Sequence, residues 1–126
     1  MLKLPGITQP VSADQLIYTG SHFTWGEATK GLTRAPTSSS QIVANIIKVA
    51  RVMDEVRVLL GNKPITVTSW YRPPAVNAAV GGAKDSQHLY GNAVDFLHAE
   101  LSPFEVFDKL NDWYGNRGGL SSSRTF

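Results

Sequence analysis

Cysteine is absent from this chain, histidine is scarce, and no long apolar run is present. Without cysteine the chain has no disulfide bond and no thiolate metal site, so any metal ion must be held by histidine and carboxylate ligands. No apolar stretch approaches the roughly 20 residues that a membrane-spanning helix needs. The N-terminal Met-Leu-Lys-Leu-Pro-Gly has no apolar signal core, and we therefore expect neither a membrane span nor a signal peptide.

A strong excess of one charge is also absent. The 126 residues include 12 Lys and Arg against 10 Asp and Glu, for a formal net charge of +2. The basic residues are scattered and do not interleave with aromatic residues, as they would on a nucleic-acid-binding surface. We expect no nucleic-acid partner. The length suffices for one domain, 1–126, with a core of its own.

The secondary-structure signals are those of a mixed fold. From about Ser40 to Leu60 apolar residues recur at steps of three and four, which predicts a long amphipathic helix, and Gly61 is placed to end it. Alternation over Ile65–Thr68 predicts a strand. Capping boxes at Thr24–Glu27 and Ser102–Glu105 predict two shorter helices. The predicted fold class is α+β, a small and mostly antiparallel sheet backed by the long helix.

The segment from 86 to 95, Ser-Gln-His-Leu-Tyr-Gly-Asn-Ala-Val-Asp, places an imidazole and a carboxylate around a glycine turn. Gly91 permits the turn, and Ala93–Leu97 is typical of a short strand, so the loop can fold His88 back over Asp95. Imidazole and carboxylate are both zinc ligands, and a carboxylate on an apolar strand must be paired, hydrogen-bonded or metal-bound. The pattern therefore indicates half of a zinc site. A loop histidine beside a structural aspartate is the alternative, which spacing alone does not exclude.

Two segments just upstream make this pattern more specific. The chain carries Ser-x-Tyr-Arg at 69–72, Asn-x-x-Val-Gly-Gly at 77–82 and Ser-x-His-x-x-Gly-x-Ala-x-Asp at 86–95. In this order and spacing they resemble the zinc D-alanyl-D-alanine carboxypeptidase family. Its members are bacterial and phage cell-wall metallopeptidases, related to the vancomycin-resistance dipeptidases and the hedgehog signalling domain. Each segment alone is a weak signal, whereas the combination is specific.

The resemblance implies roles for four residues. His88 and Asp95 become the first two zinc ligands, Arg72 a catalytic and substrate-binding residue, and Ser86 a substrate contact. A guanidinium can grip a carboxylate or a developing oxyanion through paired hydrogen bonds, and a hydroxyl can orient the substrate. From the residues alone, Arg72 could equally form a surface ion pair, and Ser86 could be a turn or cap residue.

The family completes its zinc site with a histidine on a strand after a Gly-Gly-Leu segment, near the residue that activates water. Here the corresponding segment, Gly118–Phe126, contains no histidine, and we expect the domain to lack its C-terminal catalytic strand. His22 and His98 are the other two histidines. His98 leaves the opposite face of the strand from Asp95, and a histidine such as His22 is more often structural or exposed. Truncation is favoured over replacement.

The resemblance implies a zinc-dependent peptidase that acts on peptidoglycan peptides near D-alanine, of the D,D-carboxypeptidase or endopeptidase type. Peptidoglycan or muropeptides would be its substrate, and zinc its cofactor. The alternative is a non-catalytic cell-wall-binding or interaction module on the same fold, since the hedgehog relatives serve in partner recognition. The cell wall or periplasm is the expected location, or the host cytoplasm before lysis for an endolysin-like phage product.

Overall fold

The structure, a computed structural model, describes residues 1–37 and 39–114, with side chains up to residue 111. β1 and β2 form a two-stranded antiparallel sheet, and the other elements are helical, which confirms the predicted α+β class. Within the described ranges no helix is long and apolar enough to cross a membrane. In chain order the elements are α1 (Trp25–Thr29), α2 (Ser40–Leu59), β1 (Ile65–Ser69), α3 (Pro74–Ala79), a 3₁₀ helix (Gln87–Tyr90), β2 (Asp95–His98) and α4 (Pro103–Tyr114).

Helix α2 supplies a large part of the hydrophobic core. It begins after Ser39, whose hydroxyl accepts a hydrogen bond from the Ile42 amide, and it ends one residue before the predicted limit. Gly61, with φ of 91°, follows as predicted. The predicted apolar stripe is buried in the domain's own core through Val43, Ile46, Val49, Ala50, Met53 and Val56.

Both predicted capping boxes are present. The Thr24 hydroxyl accepts from the Glu27 amide at 3.1 Å while the Glu27 carboxylate accepts from the Thr24 amide at 2.9 Å. Ser102 and Glu105 repeat this reciprocal pair at the start of α4, at 3.2 and 3.1 Å. The hydrogen bonds from the backbone and hydroxyl of Ser102 lower the pKa of Glu105. Each box satisfies amide groups that have no partner within their helix.

The sheet contains a β-bulge close to the three sequence segments between residues 69 and 95. Val67 lies opposite Phe96, and Ser69 lies opposite Asp95, so Thr68 is an extra residue in β1. The Thr68 hydroxyl donates to the main-chain oxygen of Asp95 at 3.1 Å. β2 starts at Asp95 rather than at the predicted Ala93, because β1 leaves the pairing after its bulge. Asp95 is therefore held at the end of the sheet.

Asp54, on α2, joins the N-terminal segment to the core. Its carboxylate accepts hydrogen bonds from the Tyr18 hydroxyl, the Ser21 hydroxyl at 2.8 Å and the His22 amide at 2.8 Å, and it lies 3.1 Å from His22 Nδ1. The Arg51 guanidinium lies 4.3 Å from the centre of the Tyr18 ring. Burial, and next the bond to Asp54, raise the pKa of Tyr18 to about 12.

We expect the Tyr18→Phe variant to lose part of the alkaline destabilisation of the protein. The pKa of Tyr18 is about 12 in the folded protein, against an ordinary value of 10.0. Its neutral side chain therefore contributes fully to the free energy of unfolding below the ordinary pKa, and this contribution is lost as the pH rises through the folded pKa. Urea unfolding from about pH 8 to about pH 12 should show a shallower decline in the free energy of unfolding for Tyr18→Phe than for the wild type.

Tyr90→Phe is the matched control, since that side chain is exposed. It should keep the wild-type decline. A smaller decline persists in Tyr18→Phe because burial also raises the pKa of Tyr71. An unchanged alkaline slope in Tyr18→Phe would show that Tyr18 is neither buried nor bonded to Asp54 in solution as described.

Candidate metal centre

The turn that carries His88 is fixed at both ends. Ser86 caps the 3₁₀ helix, its hydroxyl accepting from the His88 amide at 3.2 Å, and Gly91 ends it with φ of 74°. The predicted glycine turn is thus confirmed. A Cβ atom on residue 91 would lie 2.9 Å from Ile46 Cγ1, so the turn also approaches α2 more closely than any other residue would allow.

This turn folds His88 over the first residue of β2. His88 is 4% exposed, and its Nε2 lies 3.4 Å from Asp95 Oδ2. Its Nδ1 lies 2.7 Å from the main-chain oxygen of Trp70. A carbonyl oxygen only accepts, so Nδ1 carries the hydrogen, and Nε2, which faces Asp95, is the nitrogen that bears the lone pair whenever the ring is neutral.

The separation of these two atoms fits a zinc ion. Ligand atoms about 2.1 Å from a tetrahedral ion lie about 3.4 Å apart, which is the distance that the structure shows between His88 Nε2 and Asp95 Oδ2. A lone pair facing a carboxylate oxygen is stabilised by a cation between the two. The Asp95 side chain is 29% exposed and that of His88 6%, so the pair opens to solvent on the Asp95 side. The ligand roles of both residues stay predictions.

Arg72 and Ser86 meet beside this pair. Arg72 Nη2 donates to the Ser86 hydroxyl at 3.3 Å, and the Arg72 amide donates to the main-chain oxygen of His88 at 3.0 Å. Arg72 Nε is buried and has no hydrogen-bond partner in the part of the chain that the structure describes. No ion pair of Arg72 is present there either. Ser86 is the cap residue that its sequence context allowed, and its hydroxyl also reaches Arg72.

The two other histidines take part in different contacts. His98 Nε2 donates to the main-chain oxygen of Leu60 at 3.0 Å, while its Nδ1 accepts from the amides of Glu100 and Leu101, each at 3.0 Å. Both ring nitrogens of His98 are therefore engaged. His22 pairs with Asp54 and its side chain is 45% exposed.

No group of three His, Cys, Asp or Glu side chains that could hold a metal is found within residues 1–37 and 39–111. The segment Gly118–Phe126, which contains no histidine and stops where the family's third ligand would be expected, lies outside the described residues.

Two features of the site were not anticipated from the sequence. Asn77, 5% exposed, donates from Nδ2 to the main-chain oxygen of Ala83 at 2.9 Å, and a Cβ atom on residue 82 would lie 2.1 Å from Asn77 Oδ1. The Asn-x-x-Val-Gly-Gly segment thus fixes the loop that leads into Ser86, and its paired glycines were the available signal. The second feature is the main-chain oxygen of Trp70, which no side-chain pattern could reveal.

Comparison with known proteins identifies the family of this chain. The family model for peptidase M15 matches residues 14–126. The chain belongs to the peptidase M15 family. A zinc D-Ala-D-Ala carboxypeptidase from Streptomyces albus G is 32% identical to this M15 chain in an alignment of 103 residues, which covers 75% of the chain and 40% of the relative. The predicted family is confirmed, and the M15 chain spans less than half the length of that relative.

Proposed function

We propose that this M15 chain is a zinc-dependent peptidase that cleaves peptidoglycan peptides near D-alanine, as a D,D-carboxypeptidase or endopeptidase. The observation that carries the proposal is the His88 imidazole, which donates from Nδ1 to the Trp70 carbonyl and directs Nε2 at Asp95 Oδ2 over 3.4 Å. Membership of the M15 family and the name of the relative support it. The proposed location follows the substrate: the cell wall or periplasm, or the host cytoplasm before lysis for a phage product.

His88 and Asp95 would hold the ion through one imidazole nitrogen and one carboxylate oxygen. Bound zinc supplies Lewis-acid polarisation of the scissile carbonyl and activation of the attacking water. The Trp70 carbonyl keeps His88 in the tautomer that leaves Nε2 able to bind, an arrangement common among metal-ligating histidines. The sequence predicts that the family's third ligand and its water-activating residue are missing from Gly118–Phe126, a segment that lies outside the described residues.

Arg72 and Ser86 would hold the substrate. The Ser86 hydroxyl accepts hydrogen bonds from Arg72 Nη2 and from the His88 amide, so its own hydrogen can be donated to a substrate oxygen. Arg72 Nε is a second donor, since it is buried and unbonded within the described residues. Positioned donors of this kind stabilise the negative charge that develops on a carbonyl oxygen during hydrolysis.

Zinc titration of the metal-free protein by calorimetry tests the first part of the proposal. We expect the wild type to bind zinc and His88→Ala to bind it at least about 100-fold more weakly. That loss is larger than the loss of metal affinity that follows removal of a group in contact with a ligand rather than with the metal. His22→Ala is the matched control, because His22 pairs with Asp54 and not with Asp95. It should bind zinc as the wild type does, whereas loss of binding in His22→Ala would show that His22 completes the site.

The second part is tested with a peptide that ends in D-Ala-D-Ala and with muropeptides, using the same peptide ending in L-Ala-L-Ala as the control. We expect release of D-alanine or cleavage of the muropeptide by the zinc-loaded wild type only. Zinc binding without cleavage of any of these substrates would favour the non-catalytic wall-binding module. Failure to bind zinc both by this chain and by a form extended through its natural downstream codons would contradict the peptidase proposal itself.

A further inference from the structure

Trp70 contacts the His88 turn through two separate groups. Its main-chain oxygen accepts from His88 Nδ1 at 2.7 Å, and its indole Nε1 donates to the main-chain oxygen of Gly91 at 3.2 Å. Both contacts are buried, and Trp70 itself is 1% exposed. Trp70 thus holds both the imidazole ring of His88 and Gly91, the residue that ends the turn.

The turn needs such support because its own hydrogen bonds are few. It is a 3₁₀ helix of four residues, and this helix type has poorer hydrogen-bond geometry than an α-helix. On its outer side Asn45 of α2 donates from Nδ2 to the main-chain oxygen of Tyr90 at 2.9 Å. On its inner side the Gly91 carbonyl is bonded to the Trp70 indole, and a buried carbonyl that lost this donor would be left without a partner.

The position of Trp70 is itself fixed from several directions. Its ring packs edge-to-face against Phe23, with centroids 6.1 Å apart and an interplanar angle of 77°. The next two amides are also bonded, that of Tyr71 to the Ala28 oxygen at 3.2 Å and that of Arg72 to the His88 oxygen at 3.0 Å. The Trp70 carbonyl therefore has little freedom to turn away from His88.

We propose that Trp70 is a positioning residue for His88, which sets the tautomer of the imidazole with its main-chain oxygen and holds the surrounding turn with its indole N–H. In so far as His88 is taken as a metal ligand, this rests on the proposed function. The indole part is specific to tryptophan, since phenylalanine and tyrosine have no N–H at this place in the ring. The Ser-x-Tyr-Arg segment therefore carries information for this chain at its second position as well.

Trp70→Phe keeps the main-chain oxygen and an aromatic ring but removes the indole donor. We expect its zinc affinity to fall about 10- to 100-fold, as on loss of other outer-shell partners of metal ligands. Trp25→Phe is the matched control, because Trp25 is also 1% exposed and makes the same loss of volume in α1. It should change zinc affinity no more than a few-fold, and urea unfolding will show that both variants fold.

A second readout needs no metal. Nitrogen-15 NMR of the zinc-free protein at about pH 8, above the ordinary imidazole pKa of about 6.5, reports which ring nitrogen of His88 carries the hydrogen. We expect hydrogen on Nδ1 in the wild type and in Trp25→Phe. We expect a mixture of tautomers in Trp70→Phe, because the turn that has lost the indole bond no longer holds His88 Nδ1 against the main-chain oxygen of residue 70. If neither the wild type nor its extended form binds zinc, the proposed function fails, while the tautomer still decides the role of Trp70.

Two results would overturn the inference. One is hydrogen on Nε2 of His88 in the zinc-free wild type, which requires no variant and so does not depend on whether Trp70→Phe folds. The other is a Trp70→Phe protein with the tautomer and zinc affinity of Trp25→Phe.

Discussion

Gly91→Ala is expected to lower the free energy of unfolding by about 3 kcal/mol, with two separate costs. The residue has φ of 74°, which an alanine adopts only at a cost of about 1–2 kcal/mol. The new Cβ would also lie 2.9 Å from Ile46 Cγ1 and 3.2 Å from the main-chain oxygen of Ile42, and such overpacking costs about 1–3 kcal/mol. Urea unfolding of both proteins measures the sum.

Gly31→Ala separates the two costs. Gly31 has φ of 68° but no atom within 4 Å of the position of a Cβ atom, so only the conformational cost applies there. We expect Gly91→Ala to be the less stable of the two, and to bind zinc more weakly because the turn that carries His88 must shift. Equal losses of stability in the two variants would mean that the His88 turn does not pack against α2 as closely as described.

Asp95→Asn should have the largest effect on zinc binding after removal of His88. The change keeps the shape of the side chain but replaces an anionic oxygen ligand by a neutral amide, and we expect a loss of more than about 100-fold in zinc affinity, measured by competition with a chelator.

The exposed Asp108 on α4 provides the matched control for this change. Asp108→Asn should alter neither zinc affinity nor stability by a measurable amount. Wild-type zinc affinity in Asp95→Asn would remove Asp95 from the ligand set and leave the alternative reading of a loop histidine beside a structural aspartate.

The structure explains why residues distant in the chain would act together at this centre. Trp70 directly follows β1, the 3₁₀ helix carries His88, and β2 begins with Asp95. The extra residue Thr68 lets Ser69 lie opposite Asp95 and releases β1 from the sheet just before Trp70. The bulge thus lies just before the residue whose carbonyl oxygen accepts from His88 Nδ1, in keeping with the frequent occurrence of bulges beside functional sites.

Much of the fold and the identity of the candidate ligands could be predicted from the sequence. The α2 stripe, the capping boxes at Thr24 and Ser102, and the turn at Gly91 depend on residues within a few positions of one another, and such short-range patterns appear directly in the order of residues. The three ordered segments between 69 and 95 likewise indicated the M15 family and the pair of His88 with Asp95.

Other features depended on tertiary structure. His98 could have been a metal ligand by residue type, and only its contacts with Leu60, Glu100 and Leu101 show that both nitrogens are engaged. The tautomer of His88 is set by the Trp70 carbonyl, and a main-chain oxygen is the same in every residue, so it leaves no pattern in a sequence. The order of residues in the sequence specifies which side chains and backbone turns are available. Packing between segments distant in the chain decides which of these groups come into contact.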